Sequence, residues 1–201
     1  MPGIMTQSQG NGTISQRTRS IVLGVVAATL VVTAAIWLLT GGDDDTPGLG
    51  MIDDGRPEVG APAPDFALLD VRDESTVRRL SDYRGSVVIL NWYATWCSSC
   101  QQEIPDFQQA YDGLEGDLVV LAVNLEESPA DAAGMLEDLG ATFPSVVDSA
   151  GEVYRRYGGL GMPFTLFIDR DGKVFSMGSG VITEDSLRAE LAKLGLEYPE
   201  S

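Results

Sequence analysis

Two cysteines and no histidine occur among 201 residues, and the cysteines stand three positions apart in Trp96-Cys97-Ser98-Ser99-Cys100. A thiolate is the attacking species in disulfide exchange. A second thiol one helical turn away can close a small ring with the first or resolve a mixed disulfide. The spacing therefore points to redox chemistry, with Cys97 as the exposed nucleophile and Cys100 as the more buried resolving thiol. A structural zinc site takes four ligands, and this chain offers no further Cys and no His. Zinc shared between two chains and a pair of inert buried thiols are the remaining alternatives. The lack of His also removes Ser-His and Cys-His catalysis and haem ligation by His.

The flanking residues supply the position that such a thiol needs. Val87 to Trp92 is a short, β-branched apolar run, as expected of a buried strand. A helix is predicted from Ser98 to Tyr111, with Ile104, Phe107 and Tyr111 at helical spacing and a kink at Pro105. Cys97 then meets unpaired N–H groups and the positive end of the helix dipole, which favour the thiolate. Leu118 to Val123 reads as the next buried strand. Ser128 as cap and Pro129 at the first helical position open a helix running to Leu139 and stopping at Gly140. A short strand at Ser145–Val147 and a short helix at Glu152–Tyr157 follow. Phe164–Ile168 and Lys173–Phe175 form a hairpin around Asp171-Gly172, and Thr183 caps a last helix reaching Leu194. This order implies an α/β fold with a mixed sheet and flanking helices.

Ahead of this domain, Ile21 to Thr40 is twenty residues without a charge, long enough to cross a bilayer. Arg17 and Arg19 precede it, so residues 1–20 are expected to form a cytoplasmic tail and 21–40 a transmembrane signal anchor. The domain is then extracytoplasmic, on a single-pass protein of the cell membrane. A cleaved signal peptide is the main rival, but the run ends in Trp37-Leu38-Leu39 with no small-x-small site at its boundary. Residues 41–59, rich in Gly, Asp and Pro, read as a flexible linker, and 60–201 as the domain. Net charge is −17; the chain beyond the apolar segment holds 11 basic and 30 acidic residues, or −19. That balance argues against nucleic acid and against docking on anionic lipid. It serves solubility, or the choice of a basic partner.

Gly60–Asp70 (GAPAPDFALLD), Leu80–Phe107, Val119–Ser128 (VVLAVNLEES) and Gly161–Val174 (GMPFTLFIDRDGKV) occur in this order. Together they resemble the membrane-anchored, extracytoplasmic thioredoxin-like proteins of the TlpA/ResA/CcmG type. The resemblance implies a thioredoxin-like fold: a central mixed sheet with an N-terminal hairpin, and a strand-helix insertion within 116–143. It implies that Met162-Pro163 is a cis peptide facing the disulfide, with the Met162 backbone free to pair with an extended substrate strand. Trp96, Met162 and Pro163 are the expected client contacts. Glu103 matches an acidic residue that the family keeps near its active site, where a carboxylate can shift a thiol pKa and move protons. The alternative is a solvated Glu on the helix surface. Two departures stand out. Asn91 occupies the strand where cytoplasmic thioredoxins carry Asp, and Ser98-Ser99 replaces a pair that commonly ends in Pro.

These readings converge on a thiol–disulfide oxidoreductase that uses no cofactor or metal beyond the Cys97–Cys100 pair. The expected direction is reduction, with electrons from a membrane donor of a thiol-reducing pathway. The resemblance implies client proteins such as apocytochrome c, at its haem-binding cysteines, or a copper-site protein. Two other functions stay open. A Cu(I) metallochaperone would use the same soft thiolates. A thiol peroxidase of the redoxin type wants Thr three before the cysteine and a nearby Arg, whereas Thr95 is two before Cys97.

Overall fold

The computed structural model describes residues 49–199. The tail and anchor assigned to 1–20 and 21–40 lie outside them, and among the described residues no helix is long and apolar enough to cross a membrane. The elements, in order, are β1 (Gly50–Met51), β2 (Phe66–Asp70), β3 (Val77–Arg79), a 3-10 turn (Leu80–Tyr83), β4 (Val87–Tyr93), α1 (Ser98–Gly113), β5 (Leu118–Leu125), α2 (Pro129–Asp138), β6 (Ser145–Asp148), α3 (Glu152–Arg156), β7 (Phe164–Ile168), β8 (Val174–Ser179) and α4 (Glu184–Lys193). The sheet order is β1-β2-β6-β5-β4-β7-β8, with β3 also paired to β2. β4 runs parallel to β5, and β5 to β6. β7 is antiparallel to β4, and β8 to β7. This is the thioredoxin-like mixed sheet.

β4 lies inside the sheet with all seven residues buried. Its side chains alternate between two cores, as the two-residue period of a strand requires. Val87, Ile89 and Tyr93 join Ile104 and Phe107 of α1 and Leu187 and Leu191 of α4. Val88, Leu90 and Trp92 face the other way, onto Phe66, Val153 and Tyr157. There the Trp92 ring lies 5.0 Å from Tyr157 and 5.4 Å from Phe164, centroid to centroid. Asn91 is the polar exception in β4, and by alternation it faces α1. The inner stripe of α1 is Cys100, Glu103, Ile104, Phe107 and Ala110, so the helix that starts at the disulfide is held by the face carrying Glu103. The helix continues through Pro105 to Gly113.

Two expectations need correction. The linker proposed over 41–59 is structured where it can be seen. Gly50 and Met51 pair with Ala67 and Phe66, Ile52 N–H donates to Asp65 C=O (3.0 Å), and the Asp53 carboxylate accepts from Gly55 and Asp65 N–H (3.1 and 2.8 Å). Asp and Gly here make turns that return the chain to β2, and composition does not separate such turns from free coil. β8 runs on to Ser179, well past Phe175. Ser and Gly have little strand preference of their own, and pairing with β7 imposes the conformation.

Phe107 is fully buried and ties α1 to the sheet. Phe107→Ala is expected to lower the unfolding free energy by about 3–5 kcal/mol. In urea melts the midpoint should fall while the slope stays unchanged.

Candidate functional site

Chain order alone brings the cysteines to the open end of the sheet, because α1 begins a few residues after β4 ends. Cys97 is the N-cap of α1, and Cys97 and Cys100 form a disulfide with Cα atoms 5.3 Å apart. The Cys97 Sγ accepts the Cys100 backbone N–H at 3.2 Å, and Cys97 C=O accepts from Gln101 N–H at 3.3 Å. In the reduced state the same N–H faces a thiolate, and charge-assisted bonds of this kind are the stronger ones. Cys97 keeps 6% of its surface and Cys100 none. Cys97 is therefore the outer sulfur but not an openly exposed one, since its side chain turns inward to cap the helix. Trp96 beside it stands 69% exposed.

Glu103 lies one turn beyond Cys100 and is fully buried, which removes the solvated-surface alternative. Asn91 Nδ2 donates to its Oε1 at 2.7 Å, and Ile182 N–H, from the loop after β8, donates to its Oε2 at 2.8 Å. Asn91 also donates to Thr165 Oγ1 at 3.0 Å, its direct cross-strand partner on β7. Burial pushes the Glu103 carboxyl up to about 7, against the lowering pull of the Ile182 and Asn91 donors; the charge of Asp106 adds to the rise. A carboxyl poised there can take or give a proton near neutral pH.

Met162-Pro163 is a cis peptide. Pro163 is buried at the start of β7, and its C=O accepts from Gly180 N–H at 2.8 Å. Half-buried Met162 and Ile182 pack against the core cluster that contains both cysteines. The motif, Glu103 and the Met162-Pro163 segment thus meet at one end of the sheet.

A second carboxylate at this end was not anticipated. Glu127, in the turn between β5 and α2, accepts Thr95 N–H at 2.8 Å and Thr95 O–H at 2.5 Å, and Asn124 Nδ2 donates to it at 2.7 Å. Its only sequence signal is the pair Asn124 and Glu127, the first a polar residue in an otherwise apolar strand. Charge is lopsided here as well. Between Arg84 and Arg155 the chain has no Lys or Arg, yet twelve Asp and Glu. No neighbouring cation in this segment assists a thiolate on Cys97.

Comparison with known proteins gives a consistent picture. The family model described as AhpC/TSA matches residues 59–177. The thiol-disulfide oxidoreductase ResA of Geobacillus thermodenitrificans is 37% identical over 137 residues, covering 68% of this chain and 78% of the relative. ResA of Bacillus subtilis is 33% identical over 129 residues, 64% of this chain and 71% of the relative. Among solved structures, a Chlorobium tepidum protein assigned as a thiol:disulfide interchange protein DsbE superposes with a TM-score of 0.62 at 36% identity, covering 69% of this chain and 97% of that one.

The raised carboxyl has a consequence for stability. Glu103 binds its proton more tightly in the folded chain, at about 7, than at its ordinary 4.5. Between these values the folded state holds more protons, so stability falls as pH rises through the window, by on the order of 3 kcal/mol. Urea melts at pH 4.5 and pH 8 should show this loss in the wild type. Glu103→Gln, which has nothing to titrate, should remove that component.

Proposed function

The chain belongs to the AhpC/TSA family and is a thiol–disulfide oxidoreductase, and we propose that it reduces disulfides of extracytoplasmic client proteins, with Cys97 attacking and Cys100 resolving. The observation that carries the roles is the position of Cys97 as N-cap of α1, with Cys100 buried behind it and Glu103 one turn further on.

The electrons are counted as follows. The Cys97 thiolate attacks one sulfur of the client disulfide, forming a Cys97–client bond and releasing the other client sulfur as a thiolate that takes up a proton. Cys100 loses its proton, and its thiolate attacks Cys97 Sγ. The Cys97–Cys100 bond forms and the second client thiolate leaves. The client gains two electrons, and the dithiol becomes the disulfide present here. The carboxyl of Glu103, titrating near 7, receives the Cys100 proton directly or through water. Trp96 and the half-buried Met162 face the client, with buried Pro163 setting the course of the Met162 backbone. No cofactor takes part.

A donor must then return two electrons to the pair. Residues 21–40 are proposed as the membrane anchor, with the N-terminus cytoplasmic, which keeps the domain beside a membrane donor of a thiol-reducing pathway. Haem-binding cysteines of apocytochrome c and copper-site cysteines are the client classes that the family resemblance favours. Peroxide chemistry fits less well: the Thr95 hydroxyl is already committed to Glu127, and no Arg adjoins the motif in sequence.

Three measurements test the reading. The Cys97–Cys100 couple is expected near the thioredoxin value of about −270 mV; a value near about −120 mV would make the protein an oxidant. Cys97→Ser should abolish exchange, while Cys100→Ser should accumulate a client mixed disulfide that dithiothreitol releases. The wild-type rate of the resolving step should rise through pH 7, and Glu103→Gln should lose that inflection.

A further inference from the structure

The exchange steps leave Glu127 without a task, although its surroundings are unusually committed. It lies 32 residues from Thr95 in sequence, yet both donors of Thr95, the backbone N–H and the hydroxyl, end on its carboxylate. Gln101, in the first turn of α1, donates to Thr95 C=O at 3.0 Å. Every polar group of Thr95 is thus held by a side chain. The next turn closes on itself, with Cys97 N–H donating to Ala94 C=O at 3.1 Å. Asn124 adds an independent observation. It is fully buried, its Nδ2 serves Glu127, and its Oδ1 has no partner. An orphaned buried acceptor is costly, so the compensating role of this side chain is to orient the carboxylate.

We propose that Glu127 is a positioning residue for the redox couple: acting through Thr95, it holds the 94–97 turn so that Cys97 sits against Cys100, and this favours the disulfide over the dithiol. Ring closure requires the turn before α1 to give up freedom, and a turn already restrained gives up less. Two charge-assisted bonds from one carboxylate supply that restraint. The negative charge works in the same sense, because an anion beside the turn disfavours a second anion on Cys97. Glu127 thereby makes the dithiol a stronger reductant. The inference concerns the couple itself and does not depend on which client is reduced.

The test is a redox titration of the full-length chain in glutathione buffers, with acid quenching and thiol labelling, so that no client enters. Glu127→Ala is expected to move the equilibrium toward the dithiol by about 10-fold, which corresponds to about 30 mV. Thr95→Val should give a smaller shift in the same direction, and Glu127→Gln, which keeps one acceptor oxygen, an intermediate one. The decisive arm is the double variant. Once Glu127 is gone the Thr95 hydroxyl has nothing left to lose, so Glu127→Ala with Thr95→Val should shift no further than Glu127→Ala alone. An equilibrium within about twofold of wild type in Glu127→Ala, with only the melting temperature lowered, would reduce the role to structural support and overturn the proposal. Additive shifts in the double variant would also overturn it. If Glu127→Ala does not fold, Glu127→Gln and Thr95→Val decide by the same readout.

Discussion

Asn91 holds the Glu103 carboxylate under the disulfide, and much of the domain is organised around making that contact possible. An ionised carboxylate without water is strongly disfavoured unless donors replace its hydration. Here two do: the Asn91 amide from the central strand and the Ile182 N–H from the loop after β8. Glu103 itself belongs to α1, so one side chain joins a strand, a helix and a loop. The arrangement needs Asn91 on the α1 face of β4, Thr165 directly opposite on β7, and α1 in the register that puts Glu103 above them. A one-residue slip of β4 would send Asn91 to the aromatic core and Trp92 toward the helix. Burying the Glu103 carboxylate lowers stability at neutral pH, the Asn91 contact offsets part of that cost, and together they select a single register for the elements that carry the sulfurs.

The same device appears twice. Asn91 and Asn124 are buried amides on adjacent parallel strands, and each presents its NH2 to a carboxylate. The two carboxylates take opposite sides of the Cys-x-x-Cys turn. Glu127 grips the chain entering it, at Thr95, while Glu103 lies beneath the helix leaving it. Their environments separate their behaviour. Glu103 has no contact with solvent and titrates near neutrality, whereas Glu127 is half-buried and meets three donor atoms. β5 and α2 therefore do more than enlarge the sheet and cover it, because the turn between them reaches back to Thr95, just before Cys97.

Local chemistry was legible in the sequence, and partnership was not. Cys97 and Cys100 are visible because motif and helix start coincide, and the buried strands because their apolar runs are uninterrupted. Asn91 is visible as a polar break in such a run, but the residue it serves is set by how α1 lies across the sheet. Glu103 left two options because Ile104, Phe107 and Tyr111 define a helix face without fixing its width; Cys100 completes the stripe and draws Glu103 inside it. Glu127 was missed because its partner Thr95 comes from a different strand–helix connection. The linker residues 49–59 read as coil because Gly, Asp and Pro mark turns and tethers alike, and only the free edge of β2 decides between them.

The proposed direction of electron flow rests on the residues that flank Cys97. A dithiol couple becomes oxidising when its thiolate is strongly stabilised, because the reduced form is then the favoured one. Cationic neighbours are a common source of such stabilisation. This chain supplies none along the seventy residues between Arg84 and Arg155, and places twelve acidic residues there instead. Within this segment the thiolate has the Cys100 N–H and the positive end of α1. A modestly stabilised thiolate attacks well near neutral pH and leaves reluctantly once bonded, so the internal disulfide is the comfortable state. The acidic composition of this segment, its lack of Lys and Arg and the clamp at Thr95 are the features that support the proposed role of electron donor to the partner.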